Sequence, residues 1–161
     1  MLFLFVFNIF YASLKTGLQY WVWKTSGPLS QAFLPPTTPI TYFLGYVGFR
    51  FWLPITINIA FAAIFFSLIY ISRKRKERLF YNGEEYLAAI SFLAVGWPGI
   101  VVYVPLIFLF MMGVSLFNVL SKKSQYTSFL YLWLPLALLS LLFGNQIVKT
   151  LGLQVLFISG S

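Results

Sequence analysis

Apolar residues run along this chain in long blocks broken by short polar or cationic edges. A helix that crosses a bilayer needs about 20 mainly apolar residues, and each block can be measured against that length. Met1 to Leu14 is apolar apart from Asn8 and Ser13. It is short, but no basic region precedes its apolar core, so we read a retained helix rather than a cleaved signal peptide. Trp52 to Ile71 is a full span, and Ile40 to Phe51 either extends it or forms a separate short piece. Pro54 stands near its start, where a missing amide costs least. Tyr86 to Trp97 is apolar but too short to cross, and Gly96-Trp97-Pro98-Gly99 predicts a turn at membrane depth. Such a turn is tolerated only where protein surrounds it. Pro98 to Leu120 and Phe129 to Leu151 complete the set, with Pro105 and Pro135 as expected kinks.

The cationic edges suggest an orientation. Arg73 to Arg78 closes one span and Lys122-Lys123 another, and Lys and Arg collect on the cytoplasmic side of short loops. The span ending at Ile71 then runs inward, Tyr86 to Trp97 outward, Pro98 to Leu120 inward, and the last span outward. Lys15 reads as cytoplasmic and Trp52 as external, so one crossing is expected between them. Trp21 to Pro36 is interrupted by Lys24, Ser26, Gly27, Pro28 and Gln31, and Pro35 to Pro39 is a loop, so that crossing has no clear position. The expected fold is all-α: a polytopic transmembrane bundle of about five to six helices, forming a single membrane domain over residues 1–161.

Composition supports this picture. Hydrophobic residues fill 60% of the 161 positions and charged residues only 9%, against about 25% charged in a soluble domain. The expected solvent is therefore the lipid bilayer of the cell (cytoplasmic) membrane. The net charge is +8, but the basic runs border apolar blocks, which fits membrane topology and not nucleic acid. With no Cys and no His, thiolate chemistry and the commonest metal ligand are excluded, and neither cofactor nor metal is expected. The acids are Glu77, Glu84 and Glu85 alone; there is no Asp.

Three segments, in order, resemble the type IV prepilin peptidases, the leader peptidases of the GxGD aspartic class. The first is Ser13-Leu14-Lys15-Thr16-Gly17-Leu18, similar to the family's Asp-Leu-Lys-Thr-Gly-Leu. The second is Tyr81-Asn82-Gly83-Glu84-Glu85-Tyr86-Leu87, similar to GxGD and the residues after it, followed by the turn at Gly96. The third is Leu142-Phe143-Gly144-Asn145-Gln146-Ile147, similar to a closing Phe-Gly-Asp-Gln-Ile. The resemblance implies a GxGD-protease-like bundle that cuts prepilin leader peptides at the cytoplasmic face. It puts the two catalytic positions at Ser13 and Glu84 and substrate contacts at Glu85, Gly83 and Lys15. Prepilin-like substrates or the pilus and secretion machinery would be the partners.

The departures decide the expected activity. Every matched Asp is replaced: Ser13, Glu84 and Asn145 stand there. An aspartic protease needs two carboxyls about 3 Å apart sharing a proton. Glu84 and Glu85 are neighbours, and adjacent helical residues do not face each other. Glu77 is expected to pair with Arg73 or Arg78. Ser-Lys pairs (Ser13 with Lys15, or Ser121 and Ser124 with Lys122 and Lys123) have poor helical geometry or read as surface anchors. The dyad is therefore expected to be lost, leaving a pseudoenzyme. Glu84 and Glu85 either bind a positive charge at a helix N-terminus or, as the preferred reading, start the helix and neutralise part of the basic run. Asn8 and Asn58 are expected to bond to neighbouring helices. A non-enzymatic subunit of a larger membrane complex and a small transporter are the alternative functions.

Overall fold

The computed structural model describes residues 1–75, 80–120 and 129–153. Among them the only regular structure is helical. Three stretches are long and apolar enough to cross a membrane: Leu2–Thr25, Ile40–Arg75 and Ile100–Leu120. Large apolar side chains are exposed along all three, among them Phe3, Phe10, Leu68, Leu116 and Phe117. A surface of this kind fits a membrane protein whose outer solvent is lipid. Lys122, Lys123, Ser121, Ser124, Glu77 and Arg78 lie outside the described residues.

Helix α1 covers Leu2–Thr25 and does not stop at Leu14. Nothing after Leu14 breaks a helix until Ser26-Gly27-Pro28, where Gly27 takes φ 122° and the four-residue α2, Pro28–Gln31, begins. Lys15 is thus carried inside a helix, its ammonium 4.4 Å from the centre of the Tyr11 ring. After the proline-rich loop come α3, Ile40–Val47, a five-residue π segment, Gly48–Trp52, and α4, Leu53–Arg75. These form one rod, so Ile40 to Phe51 extends the span.

Pro54 accounts for the π segment. A proline inside a helix has no amide for the carbonyl four residues back and its ring pushes that carbonyl away. Here that carbonyl belongs to Arg50. A wider turn relieves the crowding, and the Leu53 amide accordingly reaches back to the Gly48 carbonyl.

α1 runs antiparallel to this rod. Trp23 packs on Tyr42, Phe43 and Tyr46, the Trp52 indole donates to Thr16 Oγ1 at 3.2 Å, and Leu4 reaches the main core. Lys15 and Trp52 therefore lie at one level, part-way along both helices. The crossing expected between them does not exist, because Lys15 does not mark a helix end.

The main core is built from α4, α5 (Glu84–Val95), α6 (Ile100–Leu120) and α7 (Trp133–Thr150). The 12-residue α5 is the most sheltered helix, with Ala88, Ala89 and Phe92 fully buried. At 1.5 Å per residue it is about 18 Å long, too short to cross. Phe92 packs between Phe65 and Tyr103.

The turn from Gly96 to Gly99 follows, with Gly96 at φ 70°, and α6 and α7 then alternate in direction. Gly99 and Gly144 let α6 and α7 touch: a Cβ on Gly144 would lie 3.4 Å from Gly99 Cα. The Ser140 hydroxyl donates to the Gly99 carbonyl at 2.9 Å, an oxygen that also accepts the Val102 and Tyr103 amides, and so ties α7 to the start of α6. Pro105 lies inside α6. Pro135 lies in the first turn of α7, which starts at Trp133, so it removes no helical hydrogen bond and makes no kink.

Candidate functional site

Polar side chains gather at the two ends of α5. At its start, Asn82-Gly83 forms a turn in which Gly83 has φ 98°, a value that costs side-chain-bearing residues free energy. The helix then begins at once with two acids, where the helix dipole favours negative charge. Both are buried, Glu84 completely and Glu85 to 2% exposure. They point to different partners, as adjacency on a helix requires. Glu84 Oε2 accepts the Tyr81 amide at 3.1 Å. Glu85 Oε1 accepts from the Arg73 guanidinium at 2.9 Å, and Arg73 also donates to Asn82 Oδ1.

Burial pushes the Glu84 carboxyl above its ordinary pKa. The Tyr81 and Phe129 amides pull it partly back, and the charge on Glu85 pushes it up again. One oxygen of each acid, Glu84 Oε1 and Glu85 Oε2, has no hydrogen-bond partner. This end is therefore a desolvated carboxyl pair with one internal counter-ion. The arrangement can hold a proton or accept one or two further donors.

At the far end of α5 lies a cavity of about 200 Å³, bordered by α1, the α3–α4 rod and the turn at Gly96. Lys15, Arg50, Asn8, Asn58, Tyr11 and Trp97 are among its lining residues. Asn58 is 4% exposed, and its Oδ1 has no partner. Asn8 donates to the Leu4 carbonyl on its own helix at 2.8 Å, a bond within α1 and not between helices. Arg50 donates to the Tyr46 hydroxyl and stacks over that ring at 5.5 Å.

Ser13 is not joined to Glu84. It is exposed on α1 and donates to the Ile9 carbonyl at 2.9 Å. Its neighbours Ala12 and Lys15 line the cavity with Gly96, Trp97 and Pro98, so the length of α5 separates it from Glu84. Lys15 lies with Ser13, whereas Gly83, Glu84 and Glu85 lie together at the opposite end. No protein-family model, curated protein or solved structure matches this chain. Arg50 is the functional candidate that the hydropathy reading passed over. Its signal is a guanidinium inside the apolar run from Ile40 to Ile71, since an ionisable group at such a place is costly and marks a polar site. Among the described residues no cluster of acids, His or Cys could hold a metal ion.

Proposed function

We propose that this chain is an integral membrane protein resembling the type IV prepilin peptidases that has kept the acidic hairpin and not the hydrolysis. In this reading Arg73 to Arg75 face the cytoplasm. Glu84 and Glu85 form the structural start of α5, and the protein acts as a non-enzymatic leader-binding or accessory subunit. One observation carries it: the acids at the GxGD-like position are buried and tied to Tyr81 and Arg73, while the other matched position, Ser13, lies at the far end of α5. Peptide hydrolysis by paired acids needs a second carboxyl aimed at the same water. Glu85 is turned to Arg73 instead.

The test is cleavage of a prepilin-type substrate by the purified chain in proteoliposomes. We expect no product above the protein-free control. Processing that disappears on Glu84→Gln would overturn the proposal. Orientation can be read in the same vesicles, because the chain has no native Cys: a single Cys at Arg75 should react from the cytoplasmic side and one at Lys24 from the other.

A further inference from the structure

A cleft between α4 and α6, at the Ser72 end of α4, has a chemistry that neither polar end of α5 uses. It is a cavity of about 130 Å³. Phe65, Leu68 and Ser72 of α4 line one wall, Phe108 and Met111 of α6 line the other, and Trp133 of α7 borders both. Leu68 and Phe108 are more than half exposed, so the cleft opens sideways to lipid. Its lining side chains are apolar except for the Ser72 hydroxyl and the Trp133 indole. An apolar cavity of about 150 Å³ stays dry and takes a benzene-sized guest. The cleft thus suits a short run of hydrocarbon better than water.

Trp133 adds a polar demand. It is 1% exposed, and its indole N–H has no acceptor among the described residues. A buried indole N–H ordinarily finds one, and leaving that bond unmade is costly. The residue is also fixed in place, because the Tyr103 hydroxyl donates to its carbonyl at 3.2 Å. A guest that fits brings an acceptor as well as hydrocarbon.

Spacing along α4 names the guest. Phe65, Leu68, Ser72 and Arg75 stand at i, i+3, i+7 and i+10, one face of a helix. That face passes from apolar side chains to a hydroxyl and then, about 4.5 Å further along the axis, to an exposed cation. The span ends at Arg75, so the face reaches the membrane edge. The same order, hydrocarbon, ester carbonyl and phosphate, runs outward along a glycerophospholipid. A partner helix offers no such order, since its carbonyls are bonded within the helix.

We propose that this cleft binds one chain of an ester-linked glycerophospholipid. The hydrocarbon lies between Phe65 and Met111, the ester carbonyl accepts from the Trp133 indole N–H, and Arg75 takes the phosphate. The proposal is independent of any peptidase resemblance.

The intact chain would be placed in nanodiscs of equal parts diacyl and dialkyl-ether phosphatidylcholine of one chain length, and retained lipid counted by native mass spectrometry. The ether lipid has no carbonyl. One ester lipid per chain should be held about fivefold in preference to the ether, the scale of one neutral hydrogen bond. Trp133→Phe should bring that ratio to one. Arg75→Gln should weaken retention of both lipids about tenfold and leave their ratio unchanged. Lys74→Gln, the same charge change off this face, should leave retention as it is. Leu68→Trp, at an exposed position, should fill the cleft and abolish retention of both. Equal retention of the two lipids by the parent chain, equal losses for Arg75→Gln and Lys74→Gln, or full retention by Leu68→Trp would overturn the proposal. The first of these readings requires no variant to fold.

Discussion

The two ends of α5 answer the same problem, polar groups beside a membrane core, in opposite ways. At the Glu84 end the chain supplies its own counter-charge: Arg73 reaches Glu85 from α4, and backbone amides reach Glu84. At the Gly96 end it assembles two cations and an unpartnered amide oxygen around an open volume. A charge matched by an opposite charge on a packed helix stabilises a fold, whereas polar groups lining an open volume keep room for a further contact. The end with the two acids thus carries its own counter-charge.

That contrast can be broken most directly at Arg73. Arg73→Met leaves Glu85 buried without its cation, and removing one partner of a buried pair costs about 3 to 5 kcal/mol. The detergent melting temperature should fall sharply, and Arg73→Met with Glu85→Gln should recover most of the loss. A fall that the double variant does not reverse would mean that Arg73 works by packing alone.

Gly99 closes the turn at the Gly96 end, and Gly99→Ala comes next in size. Its Cβ would stand 2.9 Å from Val95 Cγ1 and 3.2 Å from the carbonyl oxygens of Val95 and Gly96. Overpacking of this kind costs about 1 to 3 kcal/mol, and chemical unfolding in mixed micelles would measure it. A neutral result would show that the turn is looser than the close approach of α6 and α7 implies.

Glu84→Gln should have a smaller effect, with the opposite sign. The folded state raises this carboxyl's pKa, so native stability falls as pH climbs from the ordinary carboxylate range through the raised value. The penalty is absent below that range and constant above the raised value. Glutamine does not titrate. The variant should therefore match the parent in acid and melt higher near neutrality, and a melting difference that stays flat with pH would refute the assignment.

Smallest of all should be the stability effect of Lys15→Gln, within about 0.5 kcal/mol in detergent. A large loss there would make Lys15 a structural residue like Arg73 and erase the contrast between the ends.

The helical plan was largely legible in the sequence, because hydropathy over about 20 residues reports on transfer to lipid whatever the neighbours are. The short α5 and its Gly96 turn were legible too, at Glu84–Val95 against an expected Tyr86 to Trp97. Lys15 was misread, since a cation inside a helix and a cation ending one look alike until Thr16 is seen bonded to Trp52. Among the described residues three spans meet the length and hydropathy criteria, against an expectation of about five to six. Three segments make the difference: Lys15 and Trp52 lie at one level with no crossing between them, α5 is short, and the 18-residue α7 is not among the three. The candidate site was legible only in pieces. Glu84 and Glu85 stood out as acids, yet their burial and the Arg73 pairing depend on how α4 and α5 pack. Arg50 and Asn58 meet Lys15 only because α1 lies antiparallel to a rod whose phase is reset at Pro54.

The brevity of α5 also bears on how the protein is made. A dozen residues opening with two acids do not partition into lipid unaided, so the insertion machinery has no reason to release this segment sideways as it does a full-length hydrophobic helix. Its place is prepared by Ala62 and Ile69 on one side and Leu136 and Ala137 on the other, and the second pair is synthesised some fifty residues after Glu84. On this packing α5 has its complete slot only after α7 has been made.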